Sequence, residues 1–339
     1  MSRIAIIGAG SWATALGIIA GRAGHEVRLW SRNSEVVEGV NQRRTNPTYL
    51  SEHEVPQGVQ ATSELERALA GAELVLLAAP SHATRELLAR MLPDLTSDML
   101  FVSATKGIEI ETGKRISEVV SDVLREQFEP RFVCLSGPSF AAEVAAGHPT
   151  AIVAASADAA DACQVQAELS FRNLRIYTNN DVVGTEIGGS VKNVMAVAAG
   201  MVDGLGLGTN SIAALITRGL AEIARFALAQ GAKVETLMGL AGMGDLVLTC
   251  TGGLSRNRHV GYQLGKGRPL DEIVSGMREV AEGVKTTLAV HRLAQKLGVE
   301  MPITDEVHAV LYKSKKTTDA ADALMGRPLR GETNHTYGL

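Results

Sequence analysis

Four polar side chains stand in otherwise apolar or glycine-rich surroundings: Lys106 in "ATKG", Lys192 in "IGGSVKNVMAVAAG", Asp245 in "GMGDLVLT" and Arg256 in "GGLSRNR". Each type suits a different task. An ammonium group can pass a proton to or from a reacting oxygen. A carboxylate can orient that ammonium or bind a hydroxyl, and a guanidinium can fork onto phosphate oxygens. At helical spacing Thr185, Gly188, Gly189, Met195, Ala196 and Ala199 share the face of Lys192. Apart from Met195 they are small, which predicts room for a ligand beside the ammonium. Spacing alone equally allows a lysine whose stem is buried and whose head reaches water. Asp245 read alone is more simply a helix cap or turn residue, and Lys106 a solvated turn lysine. Ser255 is placed to cap the helix after "TGGLS", whose N-terminus favours an anion beside Arg256. An exposed, well-capped helix start is the plainer alternative.

Lysine and arginine chemistry needs something to act with, and "IAIIGAGSWATALG" supplies a candidate. Gly8, Gly10 and Ala13 form a G-x-G-x-x-A pattern directly after a strand-like run and at the opening of a helix-like one. Gly8 permits the tight turn, Gly10 lets backbone approach a pyrophosphate, and Ala13 is small enough for close helix–strand packing. A structural glycine turn before a core helix is the alternative. The second strand candidate ends in "LWSRNSE", so Arg32 stands where NAD-selective loops carry an acid. Arg binds a 2′-phosphate that an acid would repel, which predicts NADPH or NADH as cofactor with NADPH preferred; a solvent-exposed surface Arg is the plainer alternative.

These residues must be held by elements, and the first half of the chain alternates strand-like and helix-like segments. Strand candidates are 3–8, 26–31, 73–80, 99–104, 131–136, 150–156 and 174–178. Helical periodicity marks 11–24, 83–92 and 114–127 between them. Continuous apolar strands alternating with helices predict a parallel sheet covered on both faces. Beyond about residue 180 only helical patterns persist, as in 211–231 and 283–298. The organisation expected is an α/β dinucleotide-binding domain over 1–180 and an all-helical domain over 181–339, with no useful periodicity in the final "RGETNHTYGL".

Composition removes other classes. The 339 residues are 45% hydrophobic and 21% charged with a net charge of −4, an ordinary globular balance that argues against nucleic-acid or membrane-surface binding. Only 4% of residues are aromatic, so the core must rest on aliphatic side chains. Three widely spaced cysteines form no disulfide framework, and neither they nor the eight histidines show metal-ligand spacing. No metal is expected. The absence of a leader-like start and of an apolar run of about 18 residues predicts a cytoplasmic protein without membrane insertion.

Taken in order, "SATKGIE", "LSGPSFAAEV", "GGSVKNVMAVAAG", "GDLVLTCTGGLSRNR" and "VAEGVKT" together with the glycine loop resemble the bacterial NAD(P)-dependent glycerol-3-phosphate dehydrogenases. Ala13 departs from the Gly more usual in that family. The resemblance implies a Rossmann-type domain followed by a helical domain, usually as a homodimer. It implies reversible reduction of dihydroxyacetone phosphate to sn-glycerol 3-phosphate for phospholipid synthesis, with Lys192 as proton donor and acceptor. It assigns Lys106, Gly137, Ser139, Asp245, Ser255, Arg256 and Asn257 to the substrate. It assigns Gly8, Gly10, Ser11, Trp12, Arg32, Lys106, Ala141, Arg256, Val280 and Glu282 to the cofactor. Trp12 and Val280 alone would read as core residues. Two other readings compete: a 3-hydroxyacid or 2-ketoacid reductase of similar build, and a cofactor-sensing protein without turnover.

Overall fold

The structure is a computed structural model that describes residues 1–277, 281–329 and 331–332. Eight strands form one sheet: β1 (Arg3–Ile7), β2 (Glu26–Trp30), β3 (Val59–Thr62), β4 (Leu74–Leu77), β5 (Leu100–Ser103), β6 (Arg131–Ser136), β7 (Thr150–Ala155) and β8 (Leu174–Asn179). Their order is β3-β2-β1-β4-β5-β6-β7-β8. The first six follow the doubly wound dinucleotide-binding order, with the reversal between β1 and β4.

Each central strand buries both faces, which is why it reads as a continuous apolar run. Ile4, Ile6, Leu74, Leu76, Leu100 and Val102 enter one core layer, under helices Ser11–Arg22 and Ala159–Leu169. The alternate residues Ala5, Ile7, Val75, Leu77 and Phe101 enter the other, under helices Thr84–Met91 and Ile116–Leu124.

Two features differ from the sequence reading. The sheet is mixed, because β6 and β7 are antiparallel while every other neighbour pair is parallel. The helix between them, Ala141–Ala146, has six residues. It is the one helix in the connection 137–149, shorter than the four covering helices named above, and β7 runs antiparallel to β6. Strand β3 was also unforeseen. It is a four-residue edge strand, "VQAT", paired only with β2, with alternating burial and one large apolar side chain.

The chain divides into two compact units: residues 1–109 with 114–186, which hold the sheet, and 110–113 with 187–339. The division falls inside the helix Val182–Gly204. The regular elements among the described residues of the second unit are all helices, with Gly208–Leu228, Asp245–Thr251, Arg256–Gly265, Glu282–Leu297 and Pro302–Tyr312 as the main ones. Helix Pro302–Tyr312 has no side-chain cap of its own. The buried Glu222 carboxyl group caps it instead, accepting from the Ile303 and Thr304 N–H groups at 2.9 and 2.8 Å and from the Thr304 hydroxyl at 2.7 Å. Among the described residues no helix is long and apolar enough to cross a membrane.

Candidate active site

In the sheet unit the site residues follow the carboxyl ends of β1, β2, β5 and β6, where open α/β sheets bind ligands. Gly8 has φ +123°, and a Cβ there would lie 2.8 Å from the Ala78 carbonyl oxygen at the end of β4. Gly10 is different. Its backbone is extended (φ −64°, ψ 177°), and among the described residues a Cβ would meet nothing within 4 Å. Packing of the described residues therefore does not require glycine at position 10, whereas a phosphate lying on the backbone would. Gly10 is also the N-cap of helix Ser11–Arg22 and offers no side-chain cap, so the helix N-terminus is left to attract an anion. Ala13 is buried in the core as its small size predicts. Trp12 is half-buried, with its Nε1 enclosed and without a hydrogen-bond partner among the described residues. Ser11 Oγ donates to the Tyr49 carbonyl at 3.0 Å. Arg32 is exposed just beyond β2. This set fits a dinucleotide: an open cradle at Gly10, a helix N-terminus, and a cation beyond β2.

Beyond β5, the Thr105 hydroxyl lies 3.1 and 2.8 Å from the Leu77 and Ala79 carbonyls and ties the turn to the end of β4. The half-buried Lys106 then donates from Nζ to the Gly137 carbonyl at 3.2 Å, and Ser139 Oγ donates to the same oxygen at 3.0 Å. Gly137 has φ +135°, with a Cβ position 2.9 Å from Ile152 Cα. Only glycine allows this turn, which brings the "SATKG" and "SGPS" segments together. Ala141 opens the short helix that follows and is half-buried.

In the helical unit Lys192 Nζ lies 2.5 Å from Asp245 Oδ1, and the two residues are 7% and 0% exposed. Lys192 is thus a buried ion-pair partner rather than a snorkelling side chain. Asp245 opens helix Asp245–Thr251 directly after the π-helical turn Leu240–Gly244. A Cβ on Gly188 would fall 2.6 Å from the Ala241 carbonyl oxygen of that turn. This corrects the expectation that small residues around Lys192 leave room for a ligand. Gly188 admits neighbouring backbone, and Ala196 and Ala199 are fully buried.

Ser255 is the N-cap of helix Arg256–Gly265, with its Oγ accepting from the Arg258 N–H at 3.3 Å. Arg256 is exposed at the first helical position, while Arg258 pairs with Asp203 at 2.7 Å. Asn257 is buried. Its Nδ2 donates to Asn193 Oδ1, and its Oδ1 accepts from the Gly283 N–H, both at 2.9 Å. That one amide joins the Lys192 helix, the Arg256 helix and the start of the helix opened by Glu282. Asn193 was missed in the sequence, although an amide beside Lys192 in an apolar helix was a usable signal. Val280 lies outside the described residues.

Residues 3–162 match the family described as NAD-dependent glycerol-3-phosphate dehydrogenase N-terminus, and residues 181–322 match its C-terminus. A protein of Koribacter versatilis named glycerol-3-phosphate dehydrogenase (NAD(P)+) is 58% identical, covering 97% of this chain and 98% of its own length. One of the same name from Myxococcus xanthus is 50% identical over the same shares. The crystal structure of glycerol-3-phosphate dehydrogenase from Coxiella burnetii superposes with a TM-score of 0.93 at 41% identity, covering 96% of this chain and 99% of that one. The doubly wound sheet, the glycine loop and the helical unit behind Lys192 are those of an oxidoreductase using NADH or NADPH, and the chain belongs to the NAD-dependent glycerol-3-phosphate dehydrogenase family.

Proposed function

We propose that the chain reversibly reduces dihydroxyacetone phosphate to sn-glycerol 3-phosphate, with Lys192 as proton donor in reduction and base in oxidation. The buried Lys192–Asp245 pair carries this reading. An ammonium so enclosed is held in place, and its charge stabilises an alkoxide as it forms while its proton is handed over. Asp245 accepts one Lys192 N–H and fixes the direction of the others. Bound NAD(P)H supplies the hydride. Arg256 forks onto the phosphate at the helix N-terminus that Ser255 caps, and Lys106 adds a second cation. Gly8, Gly10, Ser11, Trp12, Ala141, Val280 and Glu282 serve the dinucleotide, and Gly137, Ser139 and Asn257 the substrate. Residues 1–180 act as the nucleotide domain and 181–339 as the substrate domain. Arg32 gives NADPH the preference through the 2′-phosphate. The product supplies phospholipid synthesis in the cytoplasm. The protein acts as a homodimer, as the family resemblance implies. The test is NADPH oxidation with dihydroxyacetone phosphate, set against unphosphorylated 2-ketoacids and a no-substrate control. Turnover with ketoacids alone would overturn the assignment, and a higher kcat/KM with NADH than NADPH would overturn the preference.

A further inference from the structure

Asn46 belongs to none of the groups above, yet it is fully buried and all its hydrogen-bonding capacity is in use. Its Nδ2 donates to the Ala9 carbonyl at 2.9 Å and to Thr14 Oγ1 at 2.8 Å. Its Oδ1 accepts from the Thr48 and Tyr49 N–H groups at 3.3 and 3.2 Å. The partners fix the orientation of the amide, since a carbonyl only accepts and a backbone N–H only donates. Thr14, itself buried, passes the chain on: its hydroxyl lies 3.0 Å from the Gly10 carbonyl and 3.3 Å from that of Ala9.

The carbonyls of the two residues inside the glycine loop are therefore engaged from the protein side. A trans peptide is planar, with C=O and N–H opposed. Fixing the Ala9 carbonyl thus aims the Gly10 N–H the other way, and the Gly10 carbonyl, which the Thr14 N–H also holds at 2.9 Å, does the same for the Ser11 N–H. A peptide flip at either place would turn a carbonyl oxygen toward any anion on the loop. We propose that Asn46, acting with Thr14, is a positioning residue that holds the loop N–H groups in the orientation that binds the dinucleotide pyrophosphate. This rests on the dinucleotide reading of the glycine loop, which the family supports independently.

The test uses Asn46→Asp, Thr14→Val and Thr14→Ser in the full chain. Asp keeps the acceptors for Thr48 and Tyr49 but sets a carboxylate oxygen against the Ala9 carbonyl. Val removes the hydroxyl at nearly constant volume, and Ser keeps it. NADPH Kd is read by fluorescence titration, alongside the Tm of the unliganded protein. Asn46→Asp and Thr14→Val are expected to raise Kd at least about tenfold, while kcat at saturating NADPH stays within about twofold. Thr14→Ser is expected to retain the wild-type Kd. Folded Asn46→Asp and Thr14→Val proteins that bind NADPH as the wild type does would overturn the inference. Should Asn46→Asp fail to fold, Thr14→Val decides alone. A wild-type chain that takes up no NADPH would sink the dinucleotide reading and the inference with it.

Discussion

Lys192 is held where a lysine is costly to bury, opposite an aspartate with no solvent exposure. Removing one partner of such a buried pair costs about 3–5 kcal/mol. Lys192→Ala should therefore lower both stability and turnover. General acid–base catalysis contributes about 10²–10⁴-fold, so kcat should drop by that order while NADPH Kd is unchanged. Adding Asp245→Asn removes the buried negative charge as well, so the double variant should regain part of the lost Tm without regaining kcat. A Lys192→Ala enzyme with wild-type kcat would exclude Lys192 from the chemistry. Arg256 differs from Lys192 in its exposure. It is exposed at a helix start, so Arg256→Ala should leave Tm nearly unchanged while raising the KM for dihydroxyacetone phosphate and lowering kcat/KM. Steady-state kinetics showing neither change would reject the phosphate clamp.

Arg256 is placed by a helix, and that helix by glycines. A Cβ on Gly261 would fall 1.9 Å from the Val197 carbonyl oxygen, and one on Gly200 would fall 2.0 Å from that of Arg258. Helices Val182–Gly204 and Arg256–Gly265 thus cross backbone to backbone. Gly261→Ala must push them apart, with an overpacking cost of about 1–3 kcal/mol or more. It should lower Tm and kcat/KM together, because Ser255, Arg256 and Asn257 move with the helix. Gly253→Ala, whose Cβ would meet none of the described residues within 4 Å, should leave Tm unchanged. Equal Tm values for the two variants would remove the crossing as a determinant of the fold. Sequence pattern revealed the long helices and seven of the strands because each carries a full apolar period. It did not reveal β3, whose four residues hold too little apolar surface, nor the turn of direction at β7. It named Lys192, Asp245 and Arg256 but not why they meet. The glycines at 188, 200 and 261 act through contacts with residues far along the chain, and no local pattern encodes those.

Across the molecule, buried ionisable groups give stability a pH dependence that no surface pair would. Burial pushes the Glu222 carboxyl from an ordinary 4.5 up to about 7, against the three donors and Arg225 that favour its charged form. Between pH 4.5 and about 7 the native state holds a proton there that the unfolded chain has released. Stability contributed by this group is full below pH 4.5, falls as pH rises through that window, and is flat above it. Glu186, buried against Arg115 and Ser117, is also raised and acts in the same sense. His308 acts in the opposite sense. Burial chiefly, with the ring of His291 stacked at 3.8 Å, holds it below 6.5, so the unfolded chain takes up a proton there first and stability rises with pH toward 6.5. Glu222→Gln isolates one contribution. It should destabilise at every pH, because an amide NH₂ replaces one of the oxygens facing the Ile303 and Thr304 N–H groups. The decisive quantity is the wild-type stability minus that of the variant, from denaturant titrations at several pH values. That difference should shrink by up to about 1.4 kcal/mol per pH unit across the window and level off above it. Parallel curves from pH 4.5 to 8 would show that Glu222 is ionised throughout, and that the cap on helix Pro302–Tyr312 is a carboxylate whose burial its three donors fully offset.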